Sequence, residues 1–281
     1  MSLFSNGEQG VWIAPSDIST LFQNLAVITP VTTAGQSVAL ALDNSKSLAL
    51  GPEIVSNGSF SSGLTGWTTG ATVTSAISSG EAQVTFSGSA AITTTNWFYQ
   101  LSVLSSSSLI YKITFDATTI SGGVLVVSSG YDIQVVISAN GGVKTSYSLY
   151  AKRGFSGSVS DQQSLVFSGA VGAVWKIDNV SVKELYGNHA TQSTSGDRPI
   201  YTSDKALQNV STDTINWAAP ANTYTVAYRS ASGTVILDAQ SLSGSTNVML
   251  APKIYAYVAV NRAIGSFERS RLQSYLNKIT A

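Results

Sequence analysis

Tyr111-Lys112-Ile113-Thr114-Phe115 alternates apolar and polar residues at every step, so Tyr111, Ile113 and Phe115 share one face. That period of two is the signature of a strand with one face buried. The same texture recurs on both sides. Short apolar stretches lie at 82–86, 97–103, 110–115, 123–127, 133–137, 146–151, 164–168 and 173–182, separated by Gly and Ser clusters. Asn140-Gly141 falls between two of them and predicts a tight hairpin turn. About eight short strands with regular turn signals, and no helical pattern between them, predict a sandwich or jelly roll rather than a βαβ fold.

Composition supports the same reading. The chain has 281 residues, of which 43% are hydrophobic and only 11% charged. Average globular proteins carry roughly 25% charged residues. Ser, Thr and Gly fill the difference, and Val, Ile, Thr and Tyr favour strands. The formal net charge is zero. With no basic patch to neutralise phosphates, nucleic-acid binding is not expected. Little charge keeps copies apart, which suits a part that assembles with itself or with partners. Cysteine is absent, so thiol catalysis, Cys-based zinc sites and disulfides are excluded. The first residues, Met1 to Glu8, show no basic stretch followed by an apolar one, and no apolar run approaches the roughly 20 residues of a spanning helix. A protein made in a cytoplasm, with no signal peptide and no membrane insertion, is the expectation.

The flanks read differently from the middle. Pro15 to Phe22 predicts a short helix capped by Ser16, with Asp17 at its positive end and Ile18, Leu21 and Phe22 on one side. Residues 1–50 look too small and irregular for a core of their own, and are read as a docking segment. Residues 186–216 form a polar connector. Residues 217–281 predict strands at 223–228, 234–237 and 254–260. A terminal helix comes next, capped by Ser266, with Leu272, Tyr275, Leu276 and Ile279 at helical spacing. The predicted class is all-β: a jelly-roll sandwich at 51–185, an N-terminal docking segment, and a smaller β-rich C-terminal region ending in one α-helix.

Two motifs in the middle carry a family resemblance. Asn57-Gly58-Ser59-Phe60 is followed by Gly66-Trp67, and Trp175-Lys176-Ile177-Asp178-Asn179-Val180-Ser181-Val182 lies about 120 residues later. Together they resemble the opening and closing strands of jelly-roll carbohydrate-binding modules. That resemblance implies a structural Ca²⁺ between first and last strands, with Asp178 and Glu53 as its candidate ligands. It also implies glycan contact through aromatic faces, for which Trp97 and Tyr99 are the candidates, while Trp67 and Trp175 inside the motifs are read as core. Gly7-Glu8-Gln9-Gly10-Val11-Trp12, Val38 to Asp43 and Gly187 to Gln192 resemble segments of bacteriophage virion proteins. This second resemblance implies a structural part of a phage particle, a tail fibre or a head fibre or decoration protein. Other virion proteins would be its partners, with a homo-oligomer, by analogy a trimer, and contact with a host-surface glycan.

Catalysis is not expected. His189, the one histidine, sits in the polar connector, where a Ser-His-Asp triad is a poorer reading than a local hydrogen bond. Asp116, Asp132, Asp161 and Asp178 are scattered through the middle, and nothing in the sequence pairs two across a cleft as glycoside hydrolysis requires. The alternatives are a glycan-binding adhesin module and a polysaccharide depolymerase.

Overall fold

In the computed structural model, which describes residues 3–25, 27, 29–88 and 94–279, the chain divides into two units. Unit 1 joins Met1–Ala49 to Tyr186–Ala281, and unit 2 is Leu50–Leu185. The chain leaves unit 1 at Ala49 and returns to it at Tyr186.

The first strands are β1 (Gly10–Ile13), β2 (Leu21–Phe22) and β3 (Leu40–Ala41). The predicted helix at 15–22 is only a 3₁₀ turn over Ile18–Thr20. Asp17, not Ser16, caps it, accepting from the Ser19 backbone N–H. Leu21 and Phe22 leave the turn because they pair with Ala41 and Leu40. Strand pairing from a distant segment overrides the local helical spacing there.

Unit 2 contains β4 (Leu50–Glu53), β5 (Thr68–Thr69), β6 (Val73–Ser78), β7 (Glu81–Phe86), β8 (Phe98–Gln100), β9 (Ile110–Ser121), β10 (Leu125–Ser129), β11 (Asp132–Ile137), β12 (Thr145–Ala151), the short helix α1 (Val159–Gln162), β13 (Leu165–Gly169) and β14 (Val174–Leu185). One sheet runs β12-β9-β14-β7-β6, with β4 also on β14, and the other β11-β10-β13-β8-β5. Apart from the pairs β6-β7 and β10-β11, successive strands cross between the sheets, and every pairing is antiparallel. This is a jelly-roll sandwich. Alternation puts Tyr111, Ile113, Phe115 and Ala117 of β9 inward to meet Phe98, Leu125, Val127, Leu165 and Phe167 of the opposite sheet. Each large side chain buried there contributes about 1.5–3 kcal/mol.

The two family-like motifs clasp each other. Asn57 organises the opening loop: its amide donates to the carbonyls of Gly63 and Thr65 and accepts from the Ser62 backbone N–H. Phe60 and Trp67 enter the core, and Trp67 stacks on Phe98 at 5.0 Å. Opposite them, β14 bulges between Asp178 and Ser181, with Asn179 at φ 50°. The Val180 N–H donates to the Gly58 carbonyl at 2.9 Å.

Asn140-Gly141 does not close a hairpin. β11 and β12 on either side of it belong to different sheets. The Asn140 side chain accepts from the Thr119 N–H and donates to the Ala117 carbonyl, anchoring the crossover to β9. The amide that would favour a tight turn is spent on a third strand.

Unit 1 is completed by β15 (Ala190–Thr191), β16 (Ile200–Tyr201), β17 (Leu207–Gln208), β18 (Asn216–Ser230), β19 (Gly233–Asn247), β20 (Lys253–Val260) and α2 (Ser266–Asn277). Its sheet runs β16-β17-β20-β18-β15-β3-β2, with β1 on β20 and β19 on β18. The stretches read as docking segment, connector and C-terminal region therefore share one sheet. Val11, Leu21, Tyr201, Trp217, Tyr224 and Tyr257 pack together within this unit. Leu272 and Leu276 of α2 pack with Leu3, Ala227, Ala256 and Val258. The residue before α2 is Gly265, not Ser266. Its N–H meets the Glu268 carboxylate, which satisfies a first-turn donor without a capping hydroxyl. No described helix is long and apolar enough to cross a membrane.

Candidate ligand-binding face

On β8, Phe98 points into the core of unit 2, so Tyr99 points to the other side of the five-stranded sheet. Trp97, just before the strand, also lies outside the core cluster and packs on Tyr99 and Tyr131, with ring centroids 5.7 and 4.9 Å away. Register continues this outer face across the sheet: Tyr99 pairs with Thr68 on one side and Val166 on the other, and Val166 pairs with Ser128. Trp97 is 1% exposed, whereas Tyr99 and Tyr131 are half-buried. The expected open platform at Trp97 is thus a buried ring that holds two partly exposed tyrosines. The Trp97 indole N–H and the Ser128 hydroxyl are buried here without a protein partner. Each such orphan costs about 1–3 kcal/mol.

The segment after β12 lies beside this face. Gly154 donates to the Ser129 hydroxyl at 2.6 Å, and the N–H groups of Phe155 and Ser156 donate to Asp132 at 2.7 and 3.0 Å. A side chain at Gly157 would run into the Tyr131 ring. Held this way, Phe155 is 79% exposed, a large aromatic standing in solvent next to the turn that carries Tyr131. Arg153 donates to Gln162 at 2.7 Å while its Nε is buried without a partner. Burial pushes the Lys152 ammonium below its ordinary value. Phe155, Lys152 and Arg153 are not legible as site residues, because their strand-flanking positions look like ordinary loop. Tyr131 is visible as an aromatic, but its contact with Trp97 is tertiary.

The calcium candidates serve other partners. Asp178 stands on the outer face of the six-stranded sheet, where Lys144 Nζ lies 2.9 Å from it, 2.9 Å from Glu81 and 3.8 Å from Asp116. Glu53 accepts from the Ser181 hydroxyl at 2.6 Å and from the backbone N–H groups of Ile54, Val55 and Val182. Asp178 and Glu53 share no partner. Among the described residues no three Asp, Glu or His side chains group as metal ligands.

Other carboxylates of unit 2 have partners as well. Burial pulls Glu81 upward, but its hydrogen bonds and ion pairs with Lys144 and Lys176 hold it below the ordinary value. Asp116 behaves likewise through Ser146, Asn179 and Lys144. Asp161 caps α1 through Ser158. In unit 1, His189 accepts from the Asp43 backbone N–H through Nδ1 at 3.0 Å, which is a structural tie between distant segments.

No family model matches the chain, and no curated protein shows significant similarity to it. Solved structures similar to the chain include the CBM22-1–GH10 modules of Clostridium thermocellum endo-1,4-beta-D-xylanase 10B complexed with xylohexaose. That likeness has a TM-score of 0.33 and 14% identity, over 48% of this chain and 29% of that one. The CBM22-1 xylan-binding domain of Paenibacillus barcinonensis Xyn10C gives 0.33 and 15%, over 49% and 97%. The CBM22-1–CBM22-2 tandem of the same enzyme gives 0.37 and 10%, over 79% and 93%. The chain spans about a third of the first of these. It is the strand order within unit 2 that makes it a jelly roll.

Proposed function

We propose that unit 2 is a non-catalytic binding module that takes a glycan on the outer face of its five-stranded sheet. The observation that carries this reading is the aromatic group of Trp97, Tyr99 and Tyr131 outside the core, with the 79% exposed Phe155 beside it. Partly exposed aromatic faces suit a sugar, since its C–H faces stack on them. In this reading Tyr99, Tyr131 and the exposed Phe155 meet the ligand, and Trp97 fixes the two tyrosines.

A glycan array with purified protein tests it, using bacterial surface polysaccharides together with xylohexaose. Binding that Tyr131→Ala abolishes supports the reading; an array without signal removes it. The same polysaccharides assayed for new reducing ends separate binding from depolymerisation, and a flat trace is expected.

A second reading places the chain on a phage particle as a structural appendage. The observation favouring it is that the segments resembling virion proteins, at 7–12, 38–43 and 187–192, belong to one unit, which offers a single body for mounting while unit 2 binds. Electron microscopy of particles labelled with antibody to this protein tests it, and particles without label would remove it.

A further inference from the structure

The terminal helix α2 turns Leu272 and Leu276 towards the core of unit 1. Along another side of it runs an open groove of about 390 Å³, lined by Phe267, Ser270, Arg271, Ser274, Tyr275 and Lys278. All six are exposed, Phe267 to 72% and Tyr275 to 40%. The proposed role of unit 2 does not use this groove.

The lining has two cations and no carboxylate. The one acid of α2, Glu268, gives both carboxylate oxygens to Arg262, at 2.8 and 2.6 Å. Asp238 of β19 pairs with Arg269. Among the described residues Arg271 and Lys278 have no ion pair. A solvated helix face ordinarily mixes charges of both signs; this one carries aromatics and a single sign. The aromatics are held in place. The Arg271 guanidinium lies over the Phe267 ring at 5.5 Å, and Tyr275 meets Trp12 edge-on at 5.4 Å. Little side-chain freedom is left to lose there on binding.

Spacing selects the partner. Arg271 and Lys278 stand seven residues apart, which is two helical turns or about 10.5 Å along the axis. A second helix has the same repeat. Its acids at i and i+7 reach both cations, an apolar residue between them meets Tyr275, and one a turn beyond meets Phe267. Same-face side chains of an extended peptide come every ~6.7 Å and miss that spacing. An anionic membrane is held by clusters of roughly 4–8 basic residues, more than this face has. The described residues of a second copy supply no such helix, since α1 is one turn long and the acid of α2 is taken.

We infer that the outer side of α2 docks an amphipathic helix of another protein, its acids seven positions apart meeting Arg271 and Lys278 and its apolar residues covering Phe267 and Tyr275.

Fluorescence anisotropy on the full chain tests this with labelled, alanine-rich peptides of about 20 residues, long enough to be helical in water. The first carries two Glu seven positions apart with Leu on the same side. The second has Gln for both Glu. The third has two central residues replaced by proline, which breaks the helix. The first should bind saturably at low salt and the third should not. Binding should be about tenfold weaker for the Gln peptide and for the double variant Arg271→Gln, Lys278→Gln, the size of two exposed ion pairs. Phe267→Ser should weaken it about as much. These side chains are exposed, so the variants should melt with the wild type. The inference is overturned if the Glu peptide does not bind, if the Gln or proline peptide binds equally well, or if the double variant binds as wild type does. Sedimentation of the chain with vesicles of about one-third phosphatidylglycerol, lost in the double variant, assigns the face to a membrane and overturns it. A dimer that Phe267→Ser dissociates, read by light scattering, assigns the face to a second copy and also overturns it.

Discussion

The carbonyl of Gly58 accepts the backbone N–H of Val180 at 2.9 Å, and this contact joins the opening motif of the jelly roll to its closing strand. A Cβ at position 58 would overlap the Val180 carbonyl oxygen. Gly58 is therefore there for close approach of two backbones, and the β14 bulge with its left-handed Asn179 aims Val180 at it.

Gly58→Ala should destabilise unit 2 by about 3 kcal/mol, near the top of the usual range for overpacking, because the obstacle is backbone and cannot rotate away. Denaturant unfolding measures it. An unchanged midpoint would show that the clasp is incidental.

Lys144→Met should cost about 1 kcal/mol near neutral pH, since the side chain is 44% exposed and solvent screens its pairs. The pH dependence has a definite sign. Hydrogen bonds to Asp178 and Glu81 raise the Lys144 ammonium above its ordinary value, so its contribution is full below about pH 10 and is lost as pH rises through the folded value. Glu81 and Asp116 are held low, so theirs is full above about pH 4.5 and is lost as pH falls. The gap in melting temperature between wild type and variant should be widest between those limits and shrink at about pH 3. A gap independent of pH would contradict the ion-pair account.

Asp43→Ala should cost about 3 kcal/mol or more, because it strands the buried or half-buried N–H groups of Trp12, Ser45 and Asn188 at once. His189→Ala removes the acceptor for the Asp43 N–H and should cost about 1 kcal/mol. Thermal melts of the two variants should rank in that order, and the reverse ranking would mean that His189, not Asp43, is the main tie between these segments of unit 1.

Trp97→Phe keeps an aromatic ring against Tyr99 and Tyr131 but removes the unpaired indole N–H. Stability should stay within about 1 kcal/mol of wild type, loss of packing offsetting relief of the orphan donor. Glycan affinity should fall, because the smaller ring holds Tyr99 and Tyr131 less firmly. A variant that loses stability and binds normally would make Trp97 a packing residue only.

Much of unit 2 can be read from its residues. Tyr111, Ile113 and Phe115 announce a one-sided strand, and all three are core. Trp67 and Trp175 belong to motifs, and both are buried. The candidate face is less legible. Trp97 and Tyr99 stand out as a pair, but sequence gives no sign that Tyr131 will cover one of them or that Phe155 will be pushed into solvent. Asp178 carries an oxygen suited to calcium, yet the residue it meets is Lys144, 34 positions away.

What the sequence alone determined is the all-β class and the strand texture of the middle region, because period-two burial is a local property of neighbouring side chains. Only the tertiary structure decided which strands become partners. Val11 pairs with Ala259 and Ala41 with Ala190, so flanks that look like a docking segment, a connector and a tail are one sheet. The strands of the docking segment and connector have two to four residues and carry too little periodicity to be seen until distant backbone hydrogen bonds and a shared core fix them.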